Sequence, residues 1–183
     1  ARYARLIAET LGFDPQHAEI LEHAAPMHDI GKIGIPDRIL LKPDRLTSDE
    51  WAIMKTHSRI GFDILQDSPS QFLRMGATIA YAHHERYDGT GYPQGLARDA
   101  IPIEARITAV ADVFDALCAP RPYKRPWSLT DAADYLRSER DRQFDGVCVE
   151  AFLNNWTYIE TIAQELADAN LASEPKRHGQ SQA

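Results

Sequence analysis

The run His28-Asp29-Ile30-Gly31-Lys32-Ile33-Gly34-Ile35-Pro36 decides how the rest of the chain is read. A histidine and an aspartate sit side by side at the end of an apolar, helix-like segment. A glycine and a lysine follow, and Pro36 ends regular structure. Imidazole nitrogen and carboxylate oxygen together suit first-row divalent metals. On its own a His-Asp pair is a weak motif, no more than a core histidine beside a helix-ending aspartate. Its meaning comes from what surrounds it.

Upstream, residues 3–11 carry a helical pattern that ends at Gly12. Asp14-Pro15 then supplies an N-cap and a first-turn proline for a second helix running to about His28. Downstream, residues 30–46 read as loop, with Pro36 and Pro43. Thr47-x-x-Glu50 is a capping box opening a helix over 48–66, with Trp51, Met54, His57, Ile60 and Ile64 or Leu65 at helical spacing. Ser68-Pro69-Ser70 breaks it, and a helix over 71–84 closes on His83-His84-Glu85. Residues 86–102 hold Gly89, Gly91, Gly95, Pro93 and Pro102, an irregular loop of a length that usually has a functional reason. Helices are predicted over 103–118, 129–140 (capped by Ser128-x-x-Asp131), 147–157 and 158–172, with a Pro/Arg/Lys loop at 119–127. No strand alternation and no internal repeat is evident, so the fold class is all-α, a bundle with one long loop. Residues 1–172 make one domain, and the polar tail 173–183 is expected to be disordered.

With 183 residues the chain is long enough for one substantial core. A net charge of −7 argues against binding a nucleic-acid polymer. An anionic substrate would therefore have to meet local cations, either metal ions or a few Lys and Arg. No apolar run approaches the length of a membrane span. Cys118 and Cys148 form no C-x-x-C pair and are expected to be free thiols in a reducing cytoplasm. The N-terminus lacks a secretory pattern and begins inside an amphipathic repeat, and is read as the cut edge of a longer protein.

The candidate metal ligands recur in one kind of place. His28 and Asp29 end one helix, His57 lies on the inner face of the next, and His83 and His84 end the third. Asp112 sits mid-helix among valines, where a lone carboxylate is costly to bury unpaired. Helices of a bundle bring such side chains to a central point. His17 and His178 read as solvent-facing and His23 as structural.

These residues make the chain resemble an HD-GYP domain, the branch of the HD phosphohydrolase superfamily that degrades the bacterial messenger cyclic di-GMP. The matching runs are His28-Asp29-Ile30-Gly31-Lys32, His57-Ser58-x-x-Gly61 and His83-His84-Glu85-Arg86-Tyr87-Asp88-Gly89-Thr90-Gly91-Tyr92-Pro93. Arg106-Ile107-x-x-Val110-Ala111-Asp112-x-x-Asp115-Ala116-Leu117 and Arg121-Pro122-Tyr123-Lys124 complete the pattern over about residues 1–155. The resemblance implies an HD-type helical bundle and a cyclic di-GMP phosphodiesterase giving pGpG and GMP. Its metal ligands would be His28, Asp29, His57, His83, His84 and Asp112, with Asp29 bridging two divalent ions, Fe or Mn; a third ion is left open. Lys32, four residues after His28, would place an ammonium near the phosphate and is grouped with Asp29 as catalytic. Tyr92, Asp115, Arg121 and Lys124 would contact substrate with Lys32. The Gly-Tyr-Pro segment is further implicated in contacts with GGDEF-domain partners. The start of the chain resembles the output domain of a two-component response regulator, which implies an upstream receiver domain. The alternative is a signalling module that binds cyclic di-GMP or a GGDEF partner without turnover. A further histidine and glutamate of the family pattern would fall before Ala1.

Overall fold

The computed structural model describes residues 1–119 and 125–173; regular structure among them is helical, apart from one isolated bridge between Arg140 and Phe144. Helix α1 (Arg2–Thr10) and α2 (Pro15–Ala24) pack together, with the Asp14 side chain accepting from His17 N at the start of α2. The second helix does not run to His28 as an α-helix. It ends at Ala24, and Ala25–Gly34 forms a 3-10 helix. Pro26 accounts for the change, because it has no N–H to return to the Glu22 carbonyl.

The 3-10 period of three sorts the residues of this segment onto separate edges. Gly31 and Gly34 lie against the helix that carries His57, Asp29 and Lys32 pair with each other, and Ile30 and Ile33 face outward. A short helix α3 (Asp37–Leu40) follows within the stretch read as loop. The helix expected over 48–66 is two helices, α4 (Ser48–Lys55) and α5 (His57–Leu65). The break has a local cause. Met54 O accepts from His57 Nδ1, and Ile53 O takes both N–H and Oγ of Thr56, which tightens the last turn of α4. The capping box at Thr47 and Glu50 is formed.

Helix α6 (Gln71–Ala82) packs on α5 and on the 3-10 segment. Helices α7 (Ile103–Cys118), α8 (Leu129–Ser138), α9 (Gly146–Leu153) and α10 (Trp156–Ser173) complete the bundle. Tyr3, Phe114 and Phe152 meet edge to face at 4.8–5.5 Å between ring centres, joining α1, α7 and α9 in the main core. Residues 174–183, expected as tail, lie outside the described residues. Among the described residues no helix is long and apolar enough to cross a membrane.

Candidate metal centre

Glycine sets the approach of the first ligands. A Cβ on Gly31 would run into the His57 carbonyl and the Gly61 amide, and one on Gly61 would lie 3.0 Å from Ala80 Cβ. The 3-10 segment therefore meets α5 backbone to backbone, and α5 packs closely on α6, where the candidate ligands converge. Asp29, His57, His83 and His84 each offer one ligand atom, all within 4.8 Å of one another. His57 and His83 are buried, at 1% and 5% exposure.

Three rings are oriented by backbone carbonyls three residues before them. Nδ1 of His28 donates to Ala25 O at 2.9 Å, that of His57 to Met54 O at 2.7 Å, and that of His83 to Ala80 O at 3.0 Å. A carbonyl only accepts, so Nδ1 carries the proton and the Nε2 lone pair faces the centre. The Nε2 atoms of His57 and His83 and Oδ1 of Asp29 are buried without a hydrogen-bond partner. Buried polar atoms are rarely left unpaired, and here they converge as nitrogen and oxygen donors that fit a divalent cation.

Asp29 divides its carboxylate between two groups. Oδ1 lies 3.6 Å from His57 Nε2 and 3.9 Å from His83 Nε2. Oδ2 lies 3.3 Å from His28 Nε2, which is itself 3.4 Å from Asp112 Oδ1. Lys32 Nζ is 2.5 Å from the same Oδ2. The lysine thus pairs with Asp29 rather than lying over His28, because the 3-10 helix aligns residues three apart.

Protonation states follow from burial and charge. Burial, then the charges of His84, His28 and His57, holds the His83 imidazole well below its ordinary range. His84 is pushed down to about 3, chiefly by burial, and burial likewise lowers His57. For Asp29, burial works upward, but hydrogen bonds with His28 and Lys32 outweigh it and keep the carboxyl low. Burial would lower His28, yet Asp29 and Asp112 hold it up. Burial raises Asp112. Three neutral imidazoles beside an ionised carboxylate are the forms that bind metal.

The other expected site residues divide. Tyr92 is at the centre, its ring stacked on His84 at 4.7 Å and 27°. Asp115 is exposed one turn beyond Asp112, close enough to push that carboxyl up. Arg121 and Lys124 lie outside the described residues. His17 is not simply solvent-facing, since it stacks on Phe13 and lies 3.4 Å from Glu104. His23 is exposed and bonds its own helix at Glu19 O.

Glu85 had no assigned role. Its carboxylate, 4% exposed, accepts from Gln94 N at 2.7 Å and Leu96 N at 3.0 Å, and so clamps the loop that carries Tyr92. Its place directly after His83-His84 was the available signal. Tyr92 N donates to His84 O at 3.2 Å, and Gly91 is required where a Cβ would strike the backbone of His84–Arg86.

A family model described as "HD domain" matches residues 1–147. The chain belongs to the HD domain family. Within it, the His28-Asp29 pair and the Gly91-Tyr92-Pro93 turn mark this HD domain as one of the HD-GYP type. It is 52% identical, over 91% of its length, to "Cyclic di-GMP phosphodiesterase response regulator RpfG" of Xanthomonas campestris pv. campestris, covering 44% of that protein. It is 47% identical, over 96% of its length, to "Cyclic di-GMP phosphodiesterase" of Thermotoga maritima, covering 48% of it. A third relative, "3'3'-cGAMP-specific phosphodiesterase 2" of Vibrio cholerae, is 42% identical over 92% of the chain and is covered to 32%. The chain thus spans less than half the length of these relatives. Among solved structures, Bd1817, an HDG"Y"P protein from Bdellovibrio bacteriovorus, superimposes with a TM-score of 0.64 at 22% identity, over 85% of this chain and 49% of that one. That likeness bears on the fold, and it agrees with the all-α bundle.

Proposed function

We propose that this HD domain is a metal-dependent phosphodiesterase that hydrolyses cyclic di-GMP to pGpG, with GMP as the further product. The observation that carries the reading is the divided carboxylate of Asp29, one oxygen toward His57 and His83, the other toward His28 and its neighbour Asp112. Asp29 with His57, His83 and His84 would hold one divalent ion, and Asp29 with His28 and Asp112 a second; Fe or Mn suits such nitrogen and oxygen donors. Ions bound there would acidify a water and take up charge on the phosphoryl oxygens.

The chain's own residues do the rest. Backbone carbonyls fix the tautomers, buried histidines stay neutral, and Lys32 places a cation at the mouth of the cluster to receive an anionic phosphodiester. Asp115, Arg121 and Lys124 are assigned to substrate contact with Tyr92, on the family pattern. In the full protein we expect an upstream receiver domain, a cytoplasmic location and GGDEF-domain partners at the Gly-Tyr-Pro turn. The likeness to a relative named for 3'3'-cGAMP supports a second cyclic dinucleotide as the alternative substrate.

The test is anaerobic incubation with Fe(II) or Mn(II) and each cyclic dinucleotide, with products resolved by chromatography. Turnover of cyclic di-GMP is expected, and Asp29→Ala is expected to lower it about a thousandfold, the several kcal/mol that metal ions contribute to such reactions. Turnover of 3'3'-cGAMP alone would reassign the substrate. Cyclic di-GMP bound but left intact would make the domain a non-catalytic module.

A further inference from the structure

We propose that Trp51 is the surface on which a nucleobase of the substrate stacks, with Tyr92 as its buttress; this rests on the phosphodiesterase reading above. Trp51 shares the helical spacing of His57 and Ile60, yet it is 47% exposed on α4, a helix with no buried residue. A large half-exposed indole beside a chemical centre marks a contact surface more than a core position.

The Tyr92 ring is the less available of the two. It stacks on His84, meets His57 edge-on at 6.5 Å and meets Trp51 edge-on at 6.2 Å. Lys55 Nζ lies over it at 5.8 Å from the ring centre. Tyr92 is thus enclosed by two candidate metal ligands, a cation and the indole. What these contacts achieve is a continuous path from His84 through Tyr92 to the Trp51 indole. A phosphodiester held at the histidines carries its base one ribose away, toward that indole. Lys55, one turn beyond Trp51 on α4, places an ammonium beside the same shelf, suited to the O6 and N7 acceptor edge of a guanine. Stacking itself is tolerant of base identity, so Trp51 would add affinity for cyclic di-GMP and 3'3'-cGAMP alike.

The test compares cyclic di-GMP with methyl p-nitrophenyl phosphate, a phosphodiester without a base, on the Mn(II)-loaded protein. Trp51→Ala is expected to lower kcat/KM for cyclic di-GMP by about 10-fold through KM, and so to lower its preference over the base-free ester by the same factor. Trp51→Phe is expected to restore most of that loss. An equal fall on both esters, or no fall on cyclic di-GMP, overturns the assignment. A second measurement does not depend on turnover: with Trp127 and Trp156 replaced by Phe in an Asp29→Asn background, cyclic di-GMP is expected to quench Trp51 fluorescence. Were the wild-type chain to cleave neither ester, the phosphodiesterase reading would fall, and this quenching would still decide whether a base stacks on Trp51. Unchanged fluorescence at saturating cyclic di-GMP overturns it.

Discussion

At the residue scale, Asp29 does the most with the least. Its neighbour His28 and its partner Lys32 both meet Oδ2, which leaves Oδ1 for the buried histidines. The same crowding makes stability depend on pH. His57, His83 and His84 are held neutral when folded, whereas an unfolded histidine takes a proton near pH 6.5. Below that value the unfolded chain binds more protons, so stability conferred by these rings is present above it and drains away as pH falls. His28, held upward by Asp29 and Asp112, works in the opposite sense, one ring against three. The urea midpoint of chelator-treated protein is therefore expected to fall between about pH 7 and about pH 5. A midpoint that stays level over that interval would contradict the buried neutral histidines.

At the element scale, two features shape the candidate site without offering it a donor atom. The 3-10 segment reaches α5 only because Gly31 has no side chain. Gly31→Ala is expected to cost about 2 kcal/mol or more, since the atoms it meets are backbone and do not yield as a flexible side chain would; thermal unfolding measures it, and an unchanged midpoint would show the segment free to shift. Glu85 is the other. In Glu85→Gln one oxygen becomes an NH2 set against a backbone N–H, losing a bond worth about 1–3 kcal/mol to the loop. Amide hydrogen exchange at Gln94 and Leu96 is expected to quicken while the main core stays protected. Exchange rates identical to wild type would show that the clamp is held by something else.

At the scale of the whole molecule, Arg106 ties α7 to the start of α9 and to the long loop. Its guanidinium, on α7, lies 2.6 Å from Asp145, which is 4% exposed at the start of α9, and 3.0 Å from Asp99 in the long loop. Arg106→Met is expected to destabilise the fold by about 3–5 kcal/mol by removing the cation beside buried Asp145, and Arg106→Met with Asp145→Asn to recover part of that, since Asn keeps the cap on Val147 N; chemical denaturation of the two variants decides it. Most of the architecture was legible in the order of residues. Helical spacing, the Asp14 and Ser128 caps and the Thr47–Glu50 capping box are local, and a helix forms or ends largely for local reasons. The candidate donors were legible as residue types, but not that His57 would open a helix of its own. What the chain order left open was decided by packing. The close approach of the 3-10 segment to α5, and of α5 to α6, depends on Gly31 and Gly61 meeting residues distant in sequence. Trp51 stands half exposed and its ring neighbour in space is Tyr92, forty-one positions away; periodicity along one helix carried no record of which face would be covered.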